Sequence, residues 1–492
     1  MFHQIAFLPR KMTPMSDIAV QPGLLDRALR RVTSLWRDMG VSGGRAAASF
    51  TEPLRECLEG RGGEVSARSR TAKLAEVYLA ADHAGRDAFL RALARLDSDS
   101  EAVAKAMAGV AAAGDDEARA AAKARLRRVL EPPRLKLLTQ FTTIPDGMKF
   151  IVDLRAELLQ RSSGDAMLTA LDADLRGQLA AWFDVGFLEL RRIDWTSPAA
   201  LLEKLVGYEA VHRIRTWRDL KNRLDSDRRC YAFFHPRMPE EPLIFVEVAL
   251  VRGMAGTVRE LLDEKAPVLD PKGADTAIFY SINNCQRGLD GISFGNFLIK
   301  RVVSLLSDEF RNLKSFATLS PVPGFSRWLS ERIEAGETGL VSDEEGRAIL
   351  AALPMPPAIA APGAPAGEAA AESPEALLRR ALAKRQWMRD EALSRALEPV
   401  LMRLCARYLA FEETPGRPGR ARDPVAHFHL SNGARVERLN WRGDISEKGL
   451  RESAGLMVNY VYDPPKIEDY HEGYAGEGKR PLAPALRKLA KG

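Results

Sequence analysis

Two residue types in this chain are placed where they could act on a small ligand: a serine behind two prolines, and a close pair of histidines. Ser320 ends the apolar run Phe316-Ala-Thr-Leu-Ser320, and Pro-Val-Pro-Gly-Phe325 follows. Pro321 and Pro323 each fix φ and have no N–H to give a neighbouring strand, so the strand is expected to stop at Ser320. A hydroxyl held by a stiff turn at the end of a buried strand is well placed to meet a ligand. A hundred residues on, Asp423-Pro-Val-Ala-His-Phe-His-Leu-Ser-Asn-Gly433 holds His427 and His429. Positions 427–430 read as a strand, in which both histidines share one face. Spacing alone leaves three readings of them: structural, an acid/base group with a neighbour, or a metal pair, with no third ligand at a persuasive spacing. Ser320 equally has a structural reading as a strand cap. It lacks the Gly-x-Ser-x-Gly elbow of an α/β-hydrolase nucleophile.

A second constellation is a loop. The apolar run Ala277–Ile282 leads into Asn283-Asn-Cys-Gln-Arg-Gly-Leu-Asp-Gly-Ile-Ser-Phe-Gly295, and an amphipathic helix is expected over 296–310. Strand, glycine-bearing loop and helix can cradle a phosphate, because backbone N–H groups and the helix N-terminus both favour an anion. Gly288, Gly291 and Gly295 fit neither the dinucleotide fingerprint nor the Walker loop. Taken alone, the loop reads as an ordinary β–α turn about twice as readily as a phosphate site.

These groups need elements to position them. From about residue 24 to 182 alanine, leucine and arginine dominate, and stretches such as Thr71–Leu96 and Glu117–Leu130 have helical spacing. A helical bundle is expected there, serving as scaffold or oligomerisation unit; its one histidine, His83, reads as surface or packing. Strand-like runs follow at 230–234, 243–251 and 277–282, and later at 456–462, with helical patterns between. Ser197-Pro198 and Ser373-Pro374 each read as an N-cap with proline at the first helical position. Residues 354–374 are rich in Pro, Ala and Gly and are expected to form an extended or disordered insertion. The expected fold class is α+β, with a helical domain over 1–187 and a catalytic domain over 188–492.

Bulk properties narrow the classes further. Of 492 residues, 46% are apolar and 28% charged, as in a soluble globular protein. No uninterrupted apolar run reaches membrane-spanning length. The N-terminus has neither a long apolar core nor a cleavage site for export, and its likeness to a transit peptide is weakened by Asp17, Pro9 and Pro14, so a cytoplasmic location is expected. Cys57, Cys230, Cys285 and Cys405 are scattered, against a disulfide framework or a cysteine zinc site. The formal charge of +6 is spread among interleaved acids, so no nucleic-acid partner is expected.

Several separated motifs then align in order. His235–Leu250, Phe279-Tyr-Ser-Ile282, Gly295-Asn-Phe-Leu-Ile-Lys300, Leu319–Phe325, Phe428-His-Leu-Ser-Asn-Gly433 and Gly455-Leu-Met-Val-Asn-Tyr-Val-Tyr462 together resemble the malonyl-CoA decarboxylase family. The resemblance is close over about 182–462 and looser before it. It implies a catalytic domain with an acetyltransferase-like (GNAT) fold, and release of CO2 from malonyl-CoA to give acetyl-CoA without metal or organic cofactor. It places the family's catalytic serine and histidine on Ser320 and His429, with Tyr462 and Ser281 as further candidates. Its CoA-binding loop falls on Asp290, Gly291, Ile292, Ser293, Phe294, Gly295 and Asn296. Losing CO2 from a malonyl thioester leaves an enolate that needs donors at the thioester oxygen and a proton at the α-carbon. An imidazolium at His429 is the expected proton donor, with Ser320 holding the carboxylate or relaying the proton. The expected partner is a small CoA thioester, with no membrane or nucleic acid and with self-association through the helical domain. The rival activity is an acyl-CoA-dependent N-acyltransferase on the same fold, and the weakest alternative is a non-catalytic CoA-responsive or nucleic-acid-binding protein.

Overall fold

Among the described residues the helix-spaced stretch up to Trp182 does fold into helices, and aspartates set where several of them begin. The computed structural model describes residues 50–59, 63–292, 295–353, 372–384 and 387–492. The helices are α1 (Thr51–Leu58), α2 (Gly63–Ala80), α3 (His83–Ala94), α4 (Ser100–Ala111), α5 (Asp116–Leu130), α6 (Pro133–Phe141), α7 (Gly147–Leu159) and α8 (Ala166–Trp182). The side chains of Asp82, Asp99, Asp115 and Asp165 each accept a backbone N–H at a helix start. Capping of this kind is worth about 1 kcal/mol. Asp82 also divides the helix-spaced stretch 71–96 into two helices, because its extended backbone ends α2 and starts α3. His83 opens α3 and is exposed. The Pro/Ala-rich segment lies outside the described residues over 354–371.

Beyond α8 the chain builds one mixed sheet. Its strands are β1 (Glu189–Ile193), β2 (Arg228–His235), β3 (Met238–Val251), β4 (Thr276–Asn284), β5 (Ser315–Thr318) and β6 (Ser320–Pro321), then β9 (Arg435–Asn440) and β10 (Met457–Tyr462). A separate pair, β7 (Glu413–Thr414) and β8 (Arg417–Ala421), stands apart. The order is β1-β2-β3-β4-β5-β10-β6, with β9 also on β10. The structure is thus α+β, with a helical N-terminal region and a mixed sheet.

Every neighbour in the large sheet is antiparallel except β4 and β5. That parallel pair needs a crossover, supplied by a helix, here Gly295–Glu309. The pair is in register from Thr276↔Ser315 to Phe279↔Thr318 and then parts. β4 continues to Asn284 against β3, while the other strand keeps pairing with β10 through Pro321. The sheet therefore opens between the C-terminal ends of β4 and β5, at the helix N-terminus and its preceding loop. Crevices at the carboxyl ends of parallel strands are where α/β sheets take ligands.

Two local expectations change. Ser197 does not cap: its Oγ accepts the Asp194 N–H at 3.1 Å, and the next helix, α9 (Ala199–Tyr208), starts behind Pro198 with no side-chain cap. Residues 427–430 are not a strand but lie in a helix, Pro424–Ser431. One continuous hydrophobic cluster runs from Phe50 through α7 and α8 to Phe279, Phe316, Tyr460 and Tyr462, so the helical region and one sheet face share a core.

Candidate active site

The Asp423-Pro424 pair explains the helix that replaced the expected strand. Asp423 is an N-cap whose Oδ1 accepts the N–H groups of Val425 (3.0 Å) and Ala426 (2.9 Å), with proline at the first helical position. The alternation His-Phe-His-Leu imitates a strand period, but the cap decides the local structure. On a helix His427 and His429 point about 200° apart rather than to one face. His427 goes to Tyr474, its Nδ1 2.8 Å from the phenol oxygen. His429 turns inward to the sheet.

There it meets Ser320. Ser320 Oγ lies 3.1 Å from His429 Nε2, across 109 residues of chain. On its other side, Ser320 Oγ donates to Thr318 Oγ1 at 2.9 Å. His429 Nδ1 is 2.7 Å from the Tyr462 hydroxyl, and the imidazole stacks on the Tyr460 ring at 4.5 Å. Thr318 Oγ1 also accepts the Tyr460 N–H at 3.1 Å, so a side chain replaces a ladder bond where β5 breaks. The polarities fit one consistent order: Tyr462 O–H to Nδ1, Nε2–H to Ser320, Ser320 O–H to Thr318. The structure thus joins three of the expected site residues, Ser320, His429 and Tyr462, in one chain of hydrogen bonds.

Burial sets the charge of this chain. His429 is fully enclosed with no carboxylate beside it, and desolvation alone lowers its pKa to about 3. The imidazole of the free site is therefore neutral. Burial likewise pushes the Tyr462 phenol well above its ordinary value.

Asp423 links the two segments that bring the pair together. Its Oδ2 accepts the Gly324 N–H at 3.2 Å, so one carboxyl group caps the His429 helix and holds the turn after Ser320. Gly324 is needed for that approach, since a Cβ there would stand 2.2 Å from the Tyr408 hydroxyl oxygen. Burial raises Asp423 to about 6, opposed by its three amide donors. Asp423-Pro is a visible cap signature, and Thr318 lies two residues before Ser320 on the same strand face; both could have been found in the sequence.

Ser281 lies elsewhere. Val248 pairs with Phe279 but Glu247 pairs with Ser281, so Tyr280 is the extra residue of a β-bulge. The bulge reverses the alternation beyond it and turns Ser281 and Asn283 to Glu209, which follows α9. Glu209 Oε2 accepts from Ser281 Oγ and Asn283 Nδ2, both at 2.7 Å, and its Oε1 accepts the N–H groups of Val211 and His212. Nothing in the spacing of the sequence announces this cluster.

The expected ligand loop runs from a short 3-10 turn, Arg287–Leu289, to the helix at Gly295. Asp290, Gly291 and Ile292 are placed; Ser293 and Phe294 lie outside the described residues, and Gly295 and Asn296 open the helix. Gly291 has φ +77°, a left-handed conformation that glycine takes without strain. Among the described residues no three His, Cys, Asp or Glu side chains converge to hold a metal ion.

Comparison with known proteins bears on this geometry. The family model described as "Malonyl-CoA decarboxylase C-terminal domain" matches residues 186–492, and "Malonyl-CoA decarboxylase N-terminal domain" matches 96–183. The protein "Malonyl-CoA decarboxylase, mitochondrial" of Anser anser anser is 35% identical over 466 residues, covering 89% of this chain and 88% of that one. Its Mus musculus counterpart is 36% identical over 471 residues, covering 90% and 92%. The crystal structure of malonyl-CoA decarboxylase from Rhodopseudomonas palustris superposes with a TM-score of 0.77 at 40% identity, covering 90% of this chain and all of that one. The expected cytoplasmic location does not stand, because both curated relatives carry a mitochondrial designation.

Proposed function

The chain belongs to the malonyl-CoA decarboxylase family and is a carboxy-lyase that converts malonyl-CoA to acetyl-CoA and CO2; from that premise we propose how its own residues carry the reaction. The observation that carries the reading is the 3.1 Å contact between Ser320 Oγ and His429 Nε2 at the parted end of β5. In this proposal the malonyl carboxylate binds against the Ser320 hydroxyl. That brings a negative charge beside an imidazole which has none in the free site, and an opposite charge raises a histidine pKa. His429 then takes up a proton with the substrate. The C–C bond to the carboxylate breaks, its electron pair becomes the thioester enolate, and neutral CO2 leaves. The enolate's α-carbon receives the proton through Ser320, which His429 reprotonates. Tyr462 keeps Nδ1 engaged, so that Nε2 is the nitrogen that carries the transferable proton. Ser281, bound by Glu209 and Asn283, acts here as a positioning group on the β4 side of the opening.

The thioester arrives with its CoA phosphates on the 290–296 loop and the helix N-terminus, an arrangement suited to anions. We further propose that the sheet is acetyltransferase-like. The single parallel pair, the bulge at Tyr280 and the parting after Phe279 and Thr318 support this. Residues 1–187 form the scaffold domain and 188–492 the catalytic one. The scaffold self-associates; exposed Val65, Val77 and Met107 support that, and light scattering tests it. The chemistry is assigned to side chains alone, since oriented donors suffice for a thioester enolate; turnover unchanged after chelation and dialysis is the expected outcome.

The test is direct. Purified protein given malonyl-CoA should release CO2 and acetyl-CoA, and a non-cleavable malonyl thioester analogue should bind with uptake of protons at neutral pH. His429→Ala should abolish that uptake. Uptake persisting in the variant would remove His429 from the proposed role.

A further inference from the structure

The helical region reaches into the site through two arginines. Arg155 on α7 is 2% exposed, and its guanidinium spans two regions: Nε donates to Asp172 Oδ1 at 2.8 Å, and Nη1 donates to the carbonyls of Gly288 at 2.7 Å and Asp290 at 2.9 Å. Arg176 on α8 donates from Nη2 to the Gly291 carbonyl at 3.0 Å. Three carbonyls of one short stretch therefore turn toward the helices. A trans peptide is planar with C=O and N–H opposed, so anchoring the Asp290 carbonyl fixes the Gly291 N–H to point away from Arg155. The approach is close: a Cβ on Gly288 would lie 1.8 Å from the Val152 carbonyl oxygen, so only glycine lets the turn sit on α7.

We propose that Arg155 and Arg176 are positioning residues for substrate binding: they hold the 288–291 turn by its carbonyls, its Leu289, Asp290 and Ile292 amides bond back within the turn, and the Gly291 N–H is left to face the CoA phosphates. Affinity for the CoA thioester is then a property of both regions, although the reacting atoms meet only the second. The inference rests on the reading that the 290–296 loop receives CoA. An arginine is suited to the task because its fork holds two acceptors at once while its charge offsets the carbonyl dipoles; a lysine at the same place supplies the charge without the fork.

Three variants of the full-length protein separate the possibilities: Arg155→Lys, Arg176→Ala and Gly291→Ala. Arg176 is exposed, so its truncation leaves the core intact. The expected result is a rise in KM for malonyl-CoA and in Kd for free CoA of about tenfold for Arg155→Lys and severalfold for Arg176→Ala, with kcat within about twofold. A merely structural role would lower kcat and thermal stability without that split. Unchanged KM in both arginine variants, with a raised KM in Gly291→Ala, overturns the positioning role and leaves the loop assignment standing. Unchanged KM in all three overturns both. Should Arg155→Lys fail to melt cooperatively, Arg176→Ala alone decides.

Discussion

Two buried polar clusters flank the opening between β4 and β5, and they are built on opposite electrostatic plans. On the β5 side, Thr318, Ser320, His429 and Tyr462 form a chain of neutral groups with no acid or base charge in contact. On the β4 side, Glu209 gathers four donors around one carboxyl group, and Arg223 nearby is shared by Asp219 and Glu247. Burial raises Glu247 to about 8, against the pull of Arg223. In the second cluster the carboxyl groups are held by neutral donors or by Arg223, which fixes geometry and leaves little of them to give to a ligand. The first has an imidazole whose charge partner is missing. In the proposed reaction a substrate carboxylate supplies that partner, which would make the first cluster the working site and the second the frame that holds it.

The contrast is sharpest in turnover. Ser320→Ala and His429→Ala should each lower kcat by about 10²- to 10⁴-fold, measured as acetyl-CoA release, while Ser281→Ala loses far less. Equal losses at Ser281 and Ser320 would erase the distinction between the clusters. Stability should respond the other way. Glu209→Ala strands buried donors and should cost about 1–3 kcal/mol in urea unfolding, a larger destabilisation than Ser320→Ala causes. Tyr462→Phe removes one hydrogen bond to the imidazole, worth about 1 kcal/mol, and should lower kcat severalfold with KM unchanged. The last contrast is in pH. An unfolded chain protonates histidine near pH 6.5, whereas folded His429 resists down to about 3. The folded pKa is the depressed one, so this contribution is complete above about pH 6.5 and is lost as pH falls toward 3. The stability advantage of wild type over His429→Gln should therefore shrink below about pH 6.5, and a gap flat with pH would place a charge partner beside the ring.

The sequence carried some of this and hid the rest, for identifiable reasons. Strands β2, β3, β4 and β10 were legible because buried strands read as apolar runs, and the crossover helix because its stripe has a helical period. The His429 helix was misread as a strand: four residues alternating by chance outweighed a visible Asp-Pro cap that begins four residues earlier. Ser320 and His429 were legible as residue types that could act on one ligand, and the family resemblance singled out His429 over His427. Ser281 was legible as a further candidate through its motif, but its turn toward Glu209 was not, because a bulge is one extra residue and no composition rule reveals it. Arg155 left no signal at all. An arginine on a helix of mixed charge reads as a solvated face, and only tertiary packing turned it inward onto a loop 133 residues away.

The span between the two halves of the reactive pair has a consequence for how freely this chain can vary. The segment joining Ser320 to His429 includes the Pro/Ala-rich stretch of 354–371. Closing a longer loop costs entropy only logarithmically, about 0.6 kcal/mol for each doubling of its length. Asp423, gripping both the serine turn and the histidine helix, sets their spacing locally whatever lies between. The stretch is therefore a natural insertion point. A small folded domain or a reporter spliced there should leave acetyl-CoA release from malonyl-CoA running.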